Sequence, residues 1–167
     1  MTAGGPGSAA LTEQMMTLMG ADGRWHYFYT GTCAAEDGMV QRIGHAVGDE
    51  ALRRFAELAA GVVRNVDYVA RFGGEEFLLI VVEADEPTAA SVARRLAEQT
   101  RNMPIPGADI PYQLTVSAGV TRYRSGESID DLLSRADAAL YKAKSMGRDR
   151  VVVAPELSLA PVHVELP

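Results

Sequence analysis

Along these 167 residues, apolar runs of strand character alternate with stretches whose apolar residues recur at helical spacing, in the order helix, strand, helix, hairpin, helix, strand, helix, strand. That order predicts an α+β sandwich, a mostly antiparallel sheet covered by helices. Two observations support it most directly. Tyr68-Val69-Ala70 and Phe77-Leu78-Leu79-Ile80-Val81-Val82 flank Arg71-Phe72-Gly73-Gly74-Glu75-Glu76, which reads as a β-hairpin with a Gly-Gly turn. Gln113 to Val120 reads as a buried strand, followed by a long helix capped by Ser128.

Composition sets the bounds. An apolar content of 47% in a chain of this length is read as one domain with a continuous core. The net charge of −6 argues against broad binding to a nucleic-acid polymer or an anionic membrane, while leaving room for a small basic cluster that holds a nucleotide. A single cysteine, Cys33, excludes an internal disulfide, and no apolar run has the length of a transmembrane helix or a signal segment, so a cytoplasmic location is expected.

Taken in order, Met1 to Ser8 is Gly-rich and expected to be disordered. Residues 9–154 form the expected domain. Leu11, Met15, Leu18 and Met19 predict a short helix over Ala9 to Met19, with Ser8 as a possible N-cap and Gly20 as its stop. Trp25 to Thr32, aromatic and β-favouring, predicts the first strand. From Gly48 to Arg64, Leu52, Phe55, Leu58, Ala59 and Val62 follow a helical period, with Asp49 and Glu50 in the first turn or Asp49 as the cap. Pro87 to Gln99 is the next helix, entered through Glu86-Pro87, and Met103 to Gly107 is a loop. The last helix buries Leu132, Leu133, Ala136, Leu140 and Ala143 and stops at Gly147. Arg150 to Ala154 closes as a strand, and 155–167 is a tail without pattern.

The hairpin tip carries the chemistry. Its glycines can take positive φ and admit a ligand close to the backbone, and its adjacent carboxylates at a strand start suit a metal–phosphate site, although a solvated turn has the same composition. Three histidines, His26, His45 and His163, make no metal-ligand spacing, and His45 is assigned to a structural turn.

Read together, Gly73-Gly74-Glu75-Glu76-Phe77, Gly44-His45-Ala46-Val47-Gly48-Asp49 upstream and Ala136-Asp137-Ala138-Ala139-Leu140-Tyr141-Lys142-Ala143-Lys144 downstream resemble the GGDEF family, the diguanylate cyclase domain. Thr115-Val116-Ser117-Ala118-Gly119-Val120 is similar to that family's Thr-Val-Ser-x-Gly-Val strand. The resemblance covers roughly residues 23 to 153. It implies a ferredoxin-like, adenylyl-cyclase-type core. It also implies a homodimer in which two GTP molecules, one on each domain, are joined into cyclic di-GMP with Mg²⁺ or Mn²⁺. Carried over residue by residue, Glu75 is a metal ligand and Glu76 an assisting acid and second ligand. Gly73 and Gly74 admit the nucleotide, Asp49 holds guanine, and Lys144 with Arg148 holds the terminal phosphates. Arg64 and Asp67 match an Arg-x-x-Asp inhibitory site for cyclic di-GMP in which the Asp accepts from the base, with Arg95 as a second arginine.

The resemblance breaks upstream. Where relatives carry a first strand-end Asp, a second Asp and a guanine-binding Asn, this chain has Thr32, Ala34 and Val40. The Asp-x-Leu-Thr-Gly-Leu-x-Asn-Arg motif expected near the N-terminus is replaced by Gly4-Gly5-Pro6-Gly7. A neutral hydroxyl does not replace an anionic ligand of a hard cation, so the favoured expectation is a domain that binds cyclic di-GMP without making it. A working cyclase whose metal site is completed by Glu36, Asp37 or backbone oxygens, and a domain that binds GTP without turnover, are the alternatives.

Overall fold

The computed structural model describes residues 27–34, 45–106, 113–124 and 126–155. The expectations for the Gly-rich start, the Ala9–Met19 helix, the loop with Glu36, Asp37 and Val40, and the tail beyond Pro155 lie outside these residues. Within them the chain runs β1 (Tyr27–Ala34), α1 (His45–Val62), β2 (Tyr68–Gly73), β3 (Glu76–Val81), α2 (Glu86–Arg101), β4 (Thr115–Thr121), α3 (Ile129–Ser145) and β5 (Val151–Val153). The sheet order is β2-β3-β1-β4-β5. Its β2-β3, β3-β1 and β1-β4 pairs are antiparallel and β4-β5 is parallel. This is a βαββαβ ferredoxin-like core with α3 and β5 appended, the mostly antiparallel α+β architecture expected.

Alternation along the strands sorts the core into two layers. Phe77, Leu79 and Val81 of β3, with Val116, Ala118 and Val120 of β4, pack against Phe55, Ala59 and Val62 of α1 and Ala89, Ala93, Leu96 and Ala97 of α2. Phe55 meets Phe77 edge to face, with ring centroids 4.8 Å apart, the geometry that aromatic quadrupoles favour. The intervening residues of β3, Leu78 and Ile80, turn to the other face and pack with Leu132 and Ala136 of α3. Gly119 sets how closely α3 lies on β4. A Cβ there would sit 2.3 Å from the Ala136 carbonyl oxygen and 2.5 Å from the Leu140 nitrogen.

Several boundaries differ from the sequence expectation, each for a local reason. β1 continues to Ala34, because Cys33 and Ala34 pair with Val116 and Thr115, so Thr32 lies inside the strand and not at its end. α1 starts at His45, which therefore opens a helix and not a turn. Gly48 is buried at helical spacing before Ala51, Phe55, Ala59 and Val62, and the preceding turn must be helical to bring it onto the sheet. Asp49 and Glu50 consequently fall in the second turn, and Asp49 is not a cap. α2 is capped by Asp85, whose carboxylate accepts the Thr88 N–H at 2.9 Å, with Pro87 in its first turn where a missing N–H costs nothing. Ser128 caps α3 as expected, accepting the Asp131 N–H at 3.1 Å.

Candidate functional site

Register places the hairpin tip. Gly73 pairs with Glu76, so the two-residue turn is Gly74-Glu75 and not Gly73-Gly74; Gly73 closes β2 and Glu76 opens β3. Gly74 has φ +25°. The register shifts between Arg71 and Gly73, bulging Phe72, which is left exposed. Arg71 Nε donates to the Gly74 carbonyl at 2.8 Å, tying the turn to its own strand. This role was not read from the sequence. Its signal is a cation three residues before the turn carbonyl.

Across the sheet, Glu76 pairs with Thr32 of β1, and Thr32 pairs with Ser117 of β4. This row runs through the position where the resemblance expects an acid. Ser117 is fully buried, and among the described residues its hydroxyl has no hydrogen-bond partner. The described residues therefore do not fit the expected metal arrangement. One carboxylate, Glu76, stands in a row with two neutral hydroxyl residues, and among the described residues no cluster of three or more His, Cys, Asp or Glu is placed to hold a metal ion.

α3 brings further charge to the same end. The Asp137 carboxyl is raised above its ordinary value, first because it loses solvation and second because the Glu76 carboxylate faces it; Lys144 works in the opposite direction. Asp137 and Lys144 lie two turns apart on one helix, and α3 packs through Leu132 and Ala136 against Leu78 and Ile80 of β3. Asp137 was legible only as part of the helix motif. The helix ends in a Schellman motif: the Gly147 N–H reaches the Lys144 carbonyl at 3.3 Å and the Arg148 N–H reaches the Ala143 carbonyl at 3.1 Å. Arg148 thus leaves the helix line just beyond the stop, exposed, on a left-handed backbone with φ 62°.

Asp49 is exposed on α1. Its neighbour Glu50 is occupied by Arg53 and Arg54, and these guanidinium hydrogen bonds lower its pKa to about 2.

A separate cavity of ≈ 400 Å³ collects the other predicted residues. Arg64, Asp67 and Arg95 line it with Val62, Val81, Pro87, Thr88, Ser91 and Val92. Asp67 is nearly buried and fully used. Its Oδ2 accepts the Arg64 backbone N–H at 2.8 Å and Arg64 Nε at 3.1 Å; its Oδ1 accepts Arg64 Nη2 at 2.9 Å and the Val82 N–H at 2.9 Å. Burial acts to raise the Asp67 pKa, but the Arg64 guanidinium and the two backbone donors outweigh it and hold the carboxyl below its ordinary value. The Arg64 side chain is about half exposed, at 53%, and Arg95 Nη2 donates to the Val62 carbonyl at 2.5 Å. Asp67 therefore orients Arg64, and its oxygens are already taken where the sequence reading had them accept from a base.

The comparisons with known proteins decide the family. Residues 38–150 match the family described as diguanylate cyclase, GGDEF domain. The chain belongs to the GGDEF family. Among curated GGDEF relatives, diguanylate cyclase DgcM of Escherichia coli K12 is 41% identical over 111 residues, covering 66% of this chain and 26% of DgcM. Diguanylate cyclase DgcZ of the same organism is 36% identical over 113 residues, covering 68% of this chain and 38% of DgcZ. The chain thus spans well under half the length of these relatives. Among solved structures, the GGDEF domain of DgcB from Caulobacter crescentus in complex with c-di-GMP superposes with a TM-score of 0.78 at 26% identity, covering 87% of each chain. Diguanylate cyclase SiaD of Pseudomonas aeruginosa, solved with its activator SiaC, gives a TM-score of 0.82 at 29% identity, over 88% of this chain and 58% of SiaD. Within this GGDEF fold, Arg64, Asp67 and Arg95 gather in a cavity of their own. No helix among the described residues is long and apolar enough to cross a membrane.

Proposed function

We propose that this GGDEF domain binds cyclic di-GMP in the cavity between Arg64 and Arg95 and serves as a receptor or regulatory module, without turning GTP over. The observation that carries this reading is the register of Thr32 with Glu76, which leaves a neutral residue where a cation shared by Glu75 and Glu76 requires a second anionic strand. Losing a carboxylate that binds a metal directly is expected to cost more than the 10 to 100-fold typical of its supporting partners. The cavity supplies the binding half. Two guanidinium groups border it, Arg64 is set in orientation by Asp67, and its volume lies in the range of small-ligand sites. The superposable DgcB domain was solved with c-di-GMP, which makes this dinucleotide the ligand to test.

Calorimetry with cyclic di-GMP is expected to show binding by the wild type and at least a tenfold loss in Arg64→Ala. Equal heats from both would remove the assignment of the cavity.

A second reading, a working diguanylate cyclase, has its own support. The curated relatives carry that name, and Glu75, Glu76, Asp49, Lys144 and Arg148 are all present. It requires Mg²⁺ or Mn²⁺ held with help from Glu36 or Asp37, and two copies of the domain meeting as a homodimer. Incubating the chain with GTP and either ion separates the two. Cyclic di-GMP formed by the wild type and abolished in Glu75→Ala would overturn the receptor reading. GTP bound at Gly73, Gly74, Asp49, Lys144 and Arg148 without product is compatible with the regulatory module.

A further inference from the structure

The turn after α3 has an unusual backbone. Gly147, Arg148 and Asp149 have consecutive φ values of 108°, 62° and 47°. Glycine occupies this region freely, but a run of two residues with side chains does so only when the surroundings hold it there. The Schellman bonds fix the entry to this turn, and at its exit the Ala118 N–H donates to the Arg150 carbonyl at 2.9 Å. Between them, Arg150 Nε donates to the Arg148 carbonyl at 2.9 Å.

The remaining restraint comes from far away in sequence. Arg101, the last residue of α2, places Nε 2.9 Å and 2.8 Å from the two carboxylate oxygens of Asp149, and Nη2 3.4 Å from its carbonyl oxygen. Both side chains are about one-third exposed, at 35% each, so the pair is partly shielded from water and screening. Arg101 thus grips the side chain and the backbone of the residue next to Arg148.

We infer that Arg101, acting through Asp149, is a positioning residue that holds the left-handed turn in which the Arg148 guanidinium is presented to the terminal phosphates of a nucleoside triphosphate. This rests on the reading of Arg148 as a phosphate-holding residue. Without the clamp, Asp149 is free to return to the right-handed region. That change rotates the peptide following Arg148 and alters the direction in which its guanidinium is presented. Lys144, inside the helix, keeps its place, so phosphate affinity falls without vanishing.

The test compares GTP with GMP, which lacks the terminal phosphates, by calorimetry on the full chain. Arg148→Ala is expected to weaken GTP at least tenfold. Arg101→Ala is expected to weaken it about fivefold, with GMP affinity, and cyclic di-GMP affinity at the Arg64 cavity, within about twofold of wild type. Arg101→Lys restores the charge without the two-oxygen contact and should fall between. Asp149→Ala removes the carboxylate that Arg101 grips and disfavours the left-handed backbone, so it should reproduce the selective loss of GTP, whereas Asp149→Asn, which tolerates that backbone and keeps an acceptor oxygen, should lose less. A merely structural role would lower GTP and GMP together, and that outcome overturns the proposal. Wild-type GTP affinity in both Arg101→Ala and Asp149→Ala, with Arg148→Ala weakened, also overturns it while leaving the phosphate site standing. Wild-type affinity in Arg148→Ala, or no GTP binding at all, removes the phosphate-site reading and the proposal with it.

Discussion

Asp67 and Ser117 are both buried polar residues, and they differ in what surrounds them. The Asp67 carboxylate accepts from two backbone N–H groups and twice from Arg64, whereas the Ser117 hydroxyl has no partner among the described residues. A carboxyl held below its ordinary value contributes stability that is fully present above the unfolded-state pKa, about 3.9, and is lost as pH falls through the folded-state value. Asp67→Asn should therefore lower stability at pH 7 by about 2 kcal/mol, and it should flatten the acid limb below about pH 4; urea unfolding across that range measures both. A variant with the wild-type acid limb would mean that other carboxylates set it. Ser117 points the other way, since an unpaired buried hydroxyl costs about 1–3 kcal/mol of desolvation. Ser117→Ala is expected to stabilise the fold by about 1 kcal/mol, seen as a higher denaturation midpoint; a loss of stability would show that the hydroxyl has a partner in solution. At this scale the family resemblance put Arg64, Asp67 and Arg95 forward, and the structure gathers them at one cavity with both Asp67 oxygens turned to Arg64 and to backbone N–H groups. Saturation of a carboxylate depends on a backbone N–H, that of Val82, brought from the turn that follows β3, and no local pattern encodes that.

Elements were legible where a period or a cap marks them and shifted where pairing decides. The helices over Phe55, Leu96 and Leu140 follow from apolar spacing, and the Ser128 cap follows from its own side chain. The hairpin was legible as well, but its turn moved by one residue because the bulge at Phe72 changes which residues face one another. The close approach of α3 to β4 was hidden for a related reason: a glycine in a strand does not say what lies over it. Gly119→Ala should lift α3, because the new methyl meets helix backbone and not a movable side chain, at a cost of about 3 kcal/mol. GTP affinity should fall with it, as Lys144 and Arg148 ride on that helix and its terminal turn. Gly61→Ala is the matched control, with nothing within 4 Å of the added carbon and a helical position that favours alanine by about 0.5–1 kcal/mol. Urea midpoints that move in the same direction for both variants would rule out the close-packing account.

At the scale of the whole molecule, the sheet order turns one substitution into a question about chemistry. Because β1 lies between β3 and β4, position 32 sits in register with Glu76 on one side and Ser117 on the other. Thr32→Asp would set two carboxylates directly across a strand pair, a like-charge arrangement that is destabilising by about 0.2–1 kcal/mol until a cation joins them. The variant should therefore melt below wild type in chelator and regain stability with Mn²⁺, by about 2.7 kcal/mol at a hundredfold excess over its dissociation constant. The wild type should change little under the same addition. The melting shift reports cation binding by the chain alone, so it is independent of whether two domains meet around GTP. Cyclic di-GMP formation by the variant, rising with more than first order in protein, would further show that the missing acid was the block and that paired domains carry the reaction. The opposite result is equally specific: a Mn²⁺-dependent rise in the wild type that disappears in Glu76→Gln would mean that another acid completes the row without residue 32. Glu36 and Asp37 would then be the residues to replace next, and the receptor reading would give way to the cyclase.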